Sequence, residues 1–123
     1  MTLVEIIVPV FNDQSRLNCL LTSLTRQTLE PHLFSVTVVD NGSEFPVFIP
    51  GGLPFSCRLM FCSEPGSYAT RNVAWPVAQA SWIAFTDADC LPETTWLEAG
   101  LEATHVAKNG RLPRLLAGRI EII

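Results

Sequence analysis

Lysine is almost missing from this sequence: of the 8 basic residues only Lys108 is a lysine, and the net charge is −4. A nucleic-acid binder needs a basic face to neutralise phosphates, so that class is excluded. The four cysteines, at 19, 57, 62 and 90, form no C-x-x-C pair and have no paired histidines beside them. That spacing does not build a zinc site; it reads as buried free thiols in a reducing compartment. No run of about 18 apolar residues occurs, so no stretch reads as a membrane-spanning helix. The first residues carry neither a basic segment nor an A-x-A site, which argues against a signal peptide. Internal repeats and low-complexity tracts are absent too. What is present is 123 residues that are 48% apolar, enough to bury a core and suited to one domain.

Leu3 to Val10 is β-branched and nearly continuous in apolar character apart from Glu5, the pattern of a buried strand in a parallel sheet. Pro9 is expected to end its ladder pairing. Asn12, Asp13 and Ser15 are N-cap types, and Leu17, Leu20, Leu21 and Leu24 after them trace one face of a helix. Phe34 to Val39 reads as a second strand, stopped by the turn signal Asp40-Asn41-Gly42-Ser43. Residues 44–56, with three prolines and two adjacent glycines, read as a loop. Arg58 to Cys62 is a short third strand. Pro65-Gly66-Ser67 introduces a helix from about Tyr68 to Gln79, which Pro76 should kink or shorten. Ser81 to Thr86 is a fourth strand ending at Asp87. Pro92 suits the first turn of a helix through Trp96, Leu97, Gly100, Leu101 and Thr104. Residues 108–114 form a basic loop, and Leu115 to Ile123 a last strand. The order is β-α-β-β-α-β-α-β, an α/β fold with a mostly parallel Rossmann-like sheet flanked by helices.

In such sheets ligands bind beyond the carboxyl ends of the strands. Those ends carry Pro9 to Asn12, Asp40 to Ser43, Ser63 to Gly66 and Asp87 to Asp89. Asp87-Ala88-Asp89 follows the apolar run Trp82 to Phe85 directly. Two carboxylates at a strand end can share a hard divalent cation, either side by side on an extended chain or one directly and one through water across a turn; alone, the same three residues describe a solvated turn. Asp40 has two readings, an Asx-turn acceptor or an acceptor from a nucleoside base or ribose. Arg71 falls near a helix start, where a cation opposes the macrodipole and an anion would account for it. Tyr68 and Asn72 fit packing as well as binding. Trp75, Trp82 and Trp96 fit core or rim positions, and His32 and His105 the surface.

Taken in order, these residues resemble family 2 glycosyltransferases. The matching motifs are Ile7-Val8-Pro9-Val10-Phe11-Asn12, Val38-Val39-Asp40-Asn41-Gly42-Ser43, Gly66 to Asn72 and Phe85-Thr86-Asp87-Ala88-Asp89, with Pro92 and Trp96-Leu97 after them. Together they cover residues 3 to about 100. The resemblance implies a GT-A fold that binds a nucleotide diphosphate sugar, whether a UDP-, GDP- or dTDP-sugar. Carried over residue by residue, it puts Pro9, Val10, Phe11 and Asn12 in the nucleoside pocket, Asp40 and Asn41 at the base, and Gly66 and Arg71 beside the nucleotide. Asp87 and Ala88 then lie by the ribose and diphosphate, and Asp89, with Asp87, holds Mn²⁺ or Mg²⁺. The implied reaction is transfer of the sugar to a hydroxyl of a saccharide, lipid or other acceptor, with inversion.

The sequence departs from that family in two respects, of which Pro76 within a helix that usually runs through is one. No acidic pair follows residue 89, and Glu93, Glu98 and Glu102 fall on the helix after the D-x-D motif, poorly placed to act as a base. No catalytic residue is therefore assigned within the chain. Residues 1–123 are expected to be a single nucleotide-sugar-binding domain without the acceptor-binding portion. The expected location is cytoplasmic, at the inner face of a membrane for a longer parent protein, with self-association through exposed apolar surface. A non-catalytic nucleotide-sugar binder is the main alternative. A sugar nucleotidyltransferase would carry a glycine-rich basic loop after the first strand, and a dinucleotide dehydrogenase G-x-G-x-x-G there; Val10-Phe11-Asn12-Asp13 is neither. A phospho-receiver domain would need an acidic pair after that strand and a lysine on a late one.

Overall fold

The computed structural model describes residues 2–106 and 120–122. Its strands are β1 (Val4–Val10), β2 (Phe34–Asp40), β3 (Ser56–Phe61), β4 (Trp82–Phe85), β5 (Cys90–Pro92) and β6 (Ile120–Ile122). Its helices are α1 (Gln14–Leu24), α2 (Ser67–Ala74) and α3 (Trp96–Val106). Four strands form one parallel sheet in the order β3-β2-β1-β4, and β5 and β6 pair antiparallel in a separate ribbon. The sheet is α/β, as the sequence order implies. No helix among the described residues is long and apolar enough to cross a membrane.

Each face of the sheet takes one helix because side chains alternate along a strand. Val4, Ile6, Val8 and Val10 of β1 join Val36 and Val38 of β2 against Leu17, Leu20, Leu21 and Leu24 of α1. Ile7 and Val39 point the other way, onto Ala74 and Val73 of α2. Glu5 lies on that second face as well, nearly buried; its Oε2 accepts from Thr37 Oγ1 at 3.0 Å and Arg58 Nη2 at 3.2 Å. A charge inside an apolar strand is thus matched by a cation and a hydroxyl from the next two strands.

Pro9 corrects one expectation and explains the site. Pairing with β2 continues past it, through Pro9↔Val39 and Val10↔Asp40. Odd-numbered residues of β1 turn their backbone groups toward β4, as in Thr86 N–H to Ile7 O (3.3 Å), whereas Val10 O accepts from Asn41 on the β2 side (2.8 Å). The N–H that proline lacks therefore belongs to the β4 side, where the ladder has already ended at Ile7↔Phe85. Beyond that point β1 and β4 part, and because β2 and β4 flank β1, this is the switch point where α/β sheets open a crevice.

Several boundaries differ from the sequence reading. Asp13 takes the N-cap position of α1 without a side-chain cap bond; its carboxylate lies 3.6 Å from Arg16 instead. Pro76 shortens the helix as expected, since α2 ends at Ala74 and Trp75–Val77 continue as a single 3-10 turn. Pro92 is not in a helix. It ends β5 opposite Ile120, and α3 begins four residues later. The last strand leaves the main sheet to pair with β5; the basic loop and residues 115–119 lie outside the described residues. Only Cys62 and Cys90 of the four free thiols are buried. Cys19 is exposed on the polar side of α1 and Cys57 half-buried, with burial pushing the Cys57 thiol up to about 11.

Candidate functional site

Three chain segments meet at the carboxyl ends of β1, β2 and β4. The first runs from Phe11 to Asp13. Asn12 adopts φ +50°, a left-handed conformation that asparagine tolerates better than most residues. Its N–H donates to Ser43 Oγ at 2.9 Å, and its Oδ1 accepts from Glu44 N–H at 2.7 Å. The side chain placed in the nucleoside pocket by resemblance is therefore occupied in stitching this segment to the loop after β2. Phe11 next to it is 59% exposed, an aromatic ring open at the rim. Pro9 and Val10, which precede it on β1, are buried.

The second segment starts at Asp40. Only 2% of this residue is exposed. Oδ1 accepts from Ser43 N–H at 3.0 Å and Oδ2 from Val47 N–H at 3.1 Å. Burial by itself would raise its pKa, but hydrogen bonds from the Ser43 hydroxyl and from the Ser43 and Val47 N–H groups outweigh it and hold the carboxyl below its ordinary value. Of its two sequence readings, the structure displays the turn. Asn41 behaves likewise. In the amide orientation that satisfies its neighbours, its nitrogen donates to Glu64 O (2.6 Å) and Cys62 O (3.2 Å), and its oxygen accepts from Gly66 N–H (3.0 Å). It is a strut from the end of β2 to the start of α2. Gly66, with φ +104°, sits where an L side chain would be strained, and its carbonyl accepts from both Thr70 N–H (3.2 Å) and Thr70 Oγ1 (2.8 Å).

The third segment carries the acidic pair. After β4 the chain turns at Ala88 and Asp89, closed by Cys90 N–H to Asp87 O at 3.1 Å. The pair therefore sits across a turn rather than along an extended strand. Among the described residues, Asp87, Asp89 and Cys90 form a group whose donor atoms all lie within 4.8 Å of one another. Asp87 is exposed, Asp89 half-buried and Cys90 buried. The Cys90 thiol donates to Asp89 Oδ1 at 3.6 Å. Its pKa is raised, chiefly by burial and also by the charges of Asp89 and Asp87, against one lowering backbone bond from Asp87. The thiol's hydrogen bond helps to orient the Asp89 carboxylate. Two carboxylates from a turn suit a hard cation such as Mg²⁺ or Mn²⁺, with coordination left for other oxygens.

Arg71 reaches this turn from α2. Nη2 lies 3.1 Å from Asp87 Oδ1, and Cζ stands 5.8 Å from the centre of the Phe85 ring. Its Nε is buried without a hydrogen-bond partner. The structure thus unites Arg71, Asp87 and Asp89 in one polar spot, with Ala88 buried beneath as part of the core. Trp75, half-exposed beside it, donates from Nε1 to Asn72 Oδ1 at 3.1 Å; Trp82 and Trp96 pack against the core. Glu98 and Glu102 are exposed on α3, and His32 is exposed at 3.3 Å from Glu30.

Sequence reasoning missed Gln27. Its Oε1 accepts from Leu97 N–H at 3.1 Å and its Nε2 donates to Glu93 O at 2.6 Å, so it caps α3 and fixes the chain just past the acidic turn. A lone glutamine gives no local signal for a bond 70 residues away.

A parallel sheet with a crevice at its switch point, an acidic turn and an arginine beside it defines an α/β domain with a polar site at its strand ends. The family described as glycosyl transferase family 2 matches residues 5–108. The chain belongs to that family. It is 30% identical over 129 residues to glycosyltransferase AglE of Haloferax volcanii, covering 96% of this chain and 39% of that protein. It is 32% identical over 99 residues to the pre-mycofactocin glycosyltransferase of Mycobacterium tuberculosis, covering 78% of this chain and 20% of that one. The chain thus spans well under half the length of these relatives. Its fold superposes on S. aureus TarS 1-349 with TM-score 0.72 at 23% identity, over 93% of this chain and 39% of that one. The complex of TarS 1-349 with UDP-GlcNAc gives TM-score 0.70 at 23% identity, over 93% and 37% of the two chains.

Proposed function

We propose that this chain is the donor-binding part of a glycosyltransferase that moves a sugar from a nucleotide diphosphate sugar to an acceptor hydroxyl with inversion. The observation that carries this reading is the acidic turn at the β1/β4 switch point with Arg71 alongside. Family membership and the relatives' names support transfer of a sugar, and the TarS complex supports a uridine nucleotide as the first donor to try.

In this reading Asp89 and Asp87 hold Mn²⁺ or Mg²⁺. When bound, the cation supplies Lewis-acid stabilisation of the leaving diphosphate. Phe11 offers its open ring to the base. Asp40, Asn12 and Asn41 help to fix the loops around the pocket, through both Asp40 oxygens, Asn12 Oδ1 and the Asn41 amide. Arg71 faces the diphosphate and gives its unpartnered Nε an acceptor. Attack of the acceptor oxygen on C1 breaks the bond to the diphosphate oxygen and requires a carboxylate base for the hydroxyl proton. Asp87 and Asp89 are committed to the cation, so that role falls to a residue outside 1–123. The free thiols fit a reducing compartment such as the cytoplasm.

The test is calorimetric titration of UDP, GDP and dTDP sugars with and without Mn²⁺, against the wild type and Asp89→Ala. One nucleotide is expected to bind at least about tenfold more tightly with Mn²⁺, and Asp89→Ala to lose that gain, a difference of about 1.4 kcal/mol. Binding that ignores both the metal and the substitution would overturn the metal assignment.

A further inference from the structure

We propose that Arg71 closes the cation site to metal alone, so that nucleotide and divalent cation bind as a coupled pair. This rests on the donor-site reading above and adds an order to it. Without ligand, Asp87 already has a cation: Arg71 Nη2 is 3.1 Å from Oδ1 of the carboxylate that the metal would use. A divalent ion arriving first must share that oxygen with a guanidinium in contact with it, or displace the guanidinium, and two cations on one carboxylate repel each other.

Arg71 is not at rest in this arrangement. Its Nε is buried with no acceptor, an unusual condition for a charged group. The ring of Phe85 holds the guanidinium at 5.8 Å over a half-exposed surface rather than in a closed pocket. A planar fork so placed can turn from one carboxylate oxygen to a bidentate contact with a phosphate. That move satisfies Nε, adds negative charge beside the turn and frees Asp87 for the cation. Each ligand then removes the obstacle to the other, and the coupling is reciprocal by necessity.

The experiment measures Mn²⁺ binding by electron paramagnetic resonance, and UDP binding by calorimetry, each with and without the other ligand. The proteins are the wild type, Arg71→Met, which keeps the stem over Phe85 without the charge, and Arg71→Lys, which keeps the charge without the fork. In the wild type Mn²⁺ alone should bind weakly, and UDP should tighten it by about 5- to 150-fold, the usual range of coupling between sites. Arg71→Met should bind Mn²⁺ alone several-fold more tightly than the wild type, bind UDP more weakly, and show a coupling factor near one. Arg71→Lys, the check on folding, should bind Mn²⁺ alone as weakly as the wild type. If Arg71→Met binds Mn²⁺ alone no better than the wild type while the wild type still binds Mn²⁺ and UDP together, the latch is overturned and the donor-site reading stands. If the wild type binds no nucleotide even with Mn²⁺, both fall.

Discussion

Asp40 braces its own turn at a position that also leaves a ligand contact open. At the end of an apolar strand, before Asn-Gly-Ser, a carboxylate can brace its own turn or reach for a ligand. Here both oxygens accept backbone N–H bonds and the residue is buried. Its carboxyl titrates below the ordinary value despite burial. The sign follows directly: the folded state favours the charged form, so Asp40 contributes stability above the ordinary carboxylate pKa and loses it as pH falls through the folded value. Asp40→Asn, which keeps shape but not charge, should cost about 1–3 kcal/mol at neutral pH. The gap from the wild type should narrow below about pH 4. Urea midpoints at pH 7 and pH 3 check this; equal gaps at both would show that the charge contributes nothing. The sequence located Asp40, Asn12 and Asn41 at the site but not their partners. Those partners lie on loops that come together only when the strands align in register, so whether each side chain faces a ligand or a neighbouring N–H has no local signature.

Elements were legible where a period ran long enough. The leucines of α1 at 17, 20, 21 and 24 are all buried on one face, and both flanking strands fall within a residue of the pattern. Three residues of β5 are too few to show any period, and Pro92 there carries a helix-start signal that its pairing with β6 overrides. α3 depends on distant help: Gln27 accepts from Leu97 N–H at its first turn, and Thr28 N–H donates to Thr94 O at 2.8 Å. Gln27→Ala leaves a buried N–H without an acceptor and should cost about 1–2 kcal/mol, as for loss of a cap. Hydrogen exchange should speed at the first turn of α3 while α1 stays protected. Unchanged protection at Leu97 would mean that Gln27 does not hold that helix end.

At the scale of the whole molecule, the apolar residues outside the core set an expectation about association. Phe45, Phe48, Phe61, Tyr68, Trp75 and Phe85 are all exposed, and exposed aromatic surface favours contact between copies. Light scattering on this chain should show a molecular mass above 13.6 kDa as concentration rises, and a monomer throughout would refute it. The same scale explains why the site sits where it does. The β1–β4 ladder ends at Ile7↔Phe85, Pro9 offers no N–H to extend it, and the acidic turn and Arg71 converge beyond that point.

The sequence by itself determined the class of the fold, the family and the segments that form the site, because apolar periodicity and short turn motifs act over a few residues and survive without tertiary contacts. Only the tertiary structure decided which polar groups those segments leave available. Asn12, Asp40 and Asn41 spend theirs on neighbouring loops, while Arg71 meets Asp87 across 16 residues of chain. A buried donor or acceptor must find a partner, and which one it finds depends on what the folded chain brings within about 3 Å.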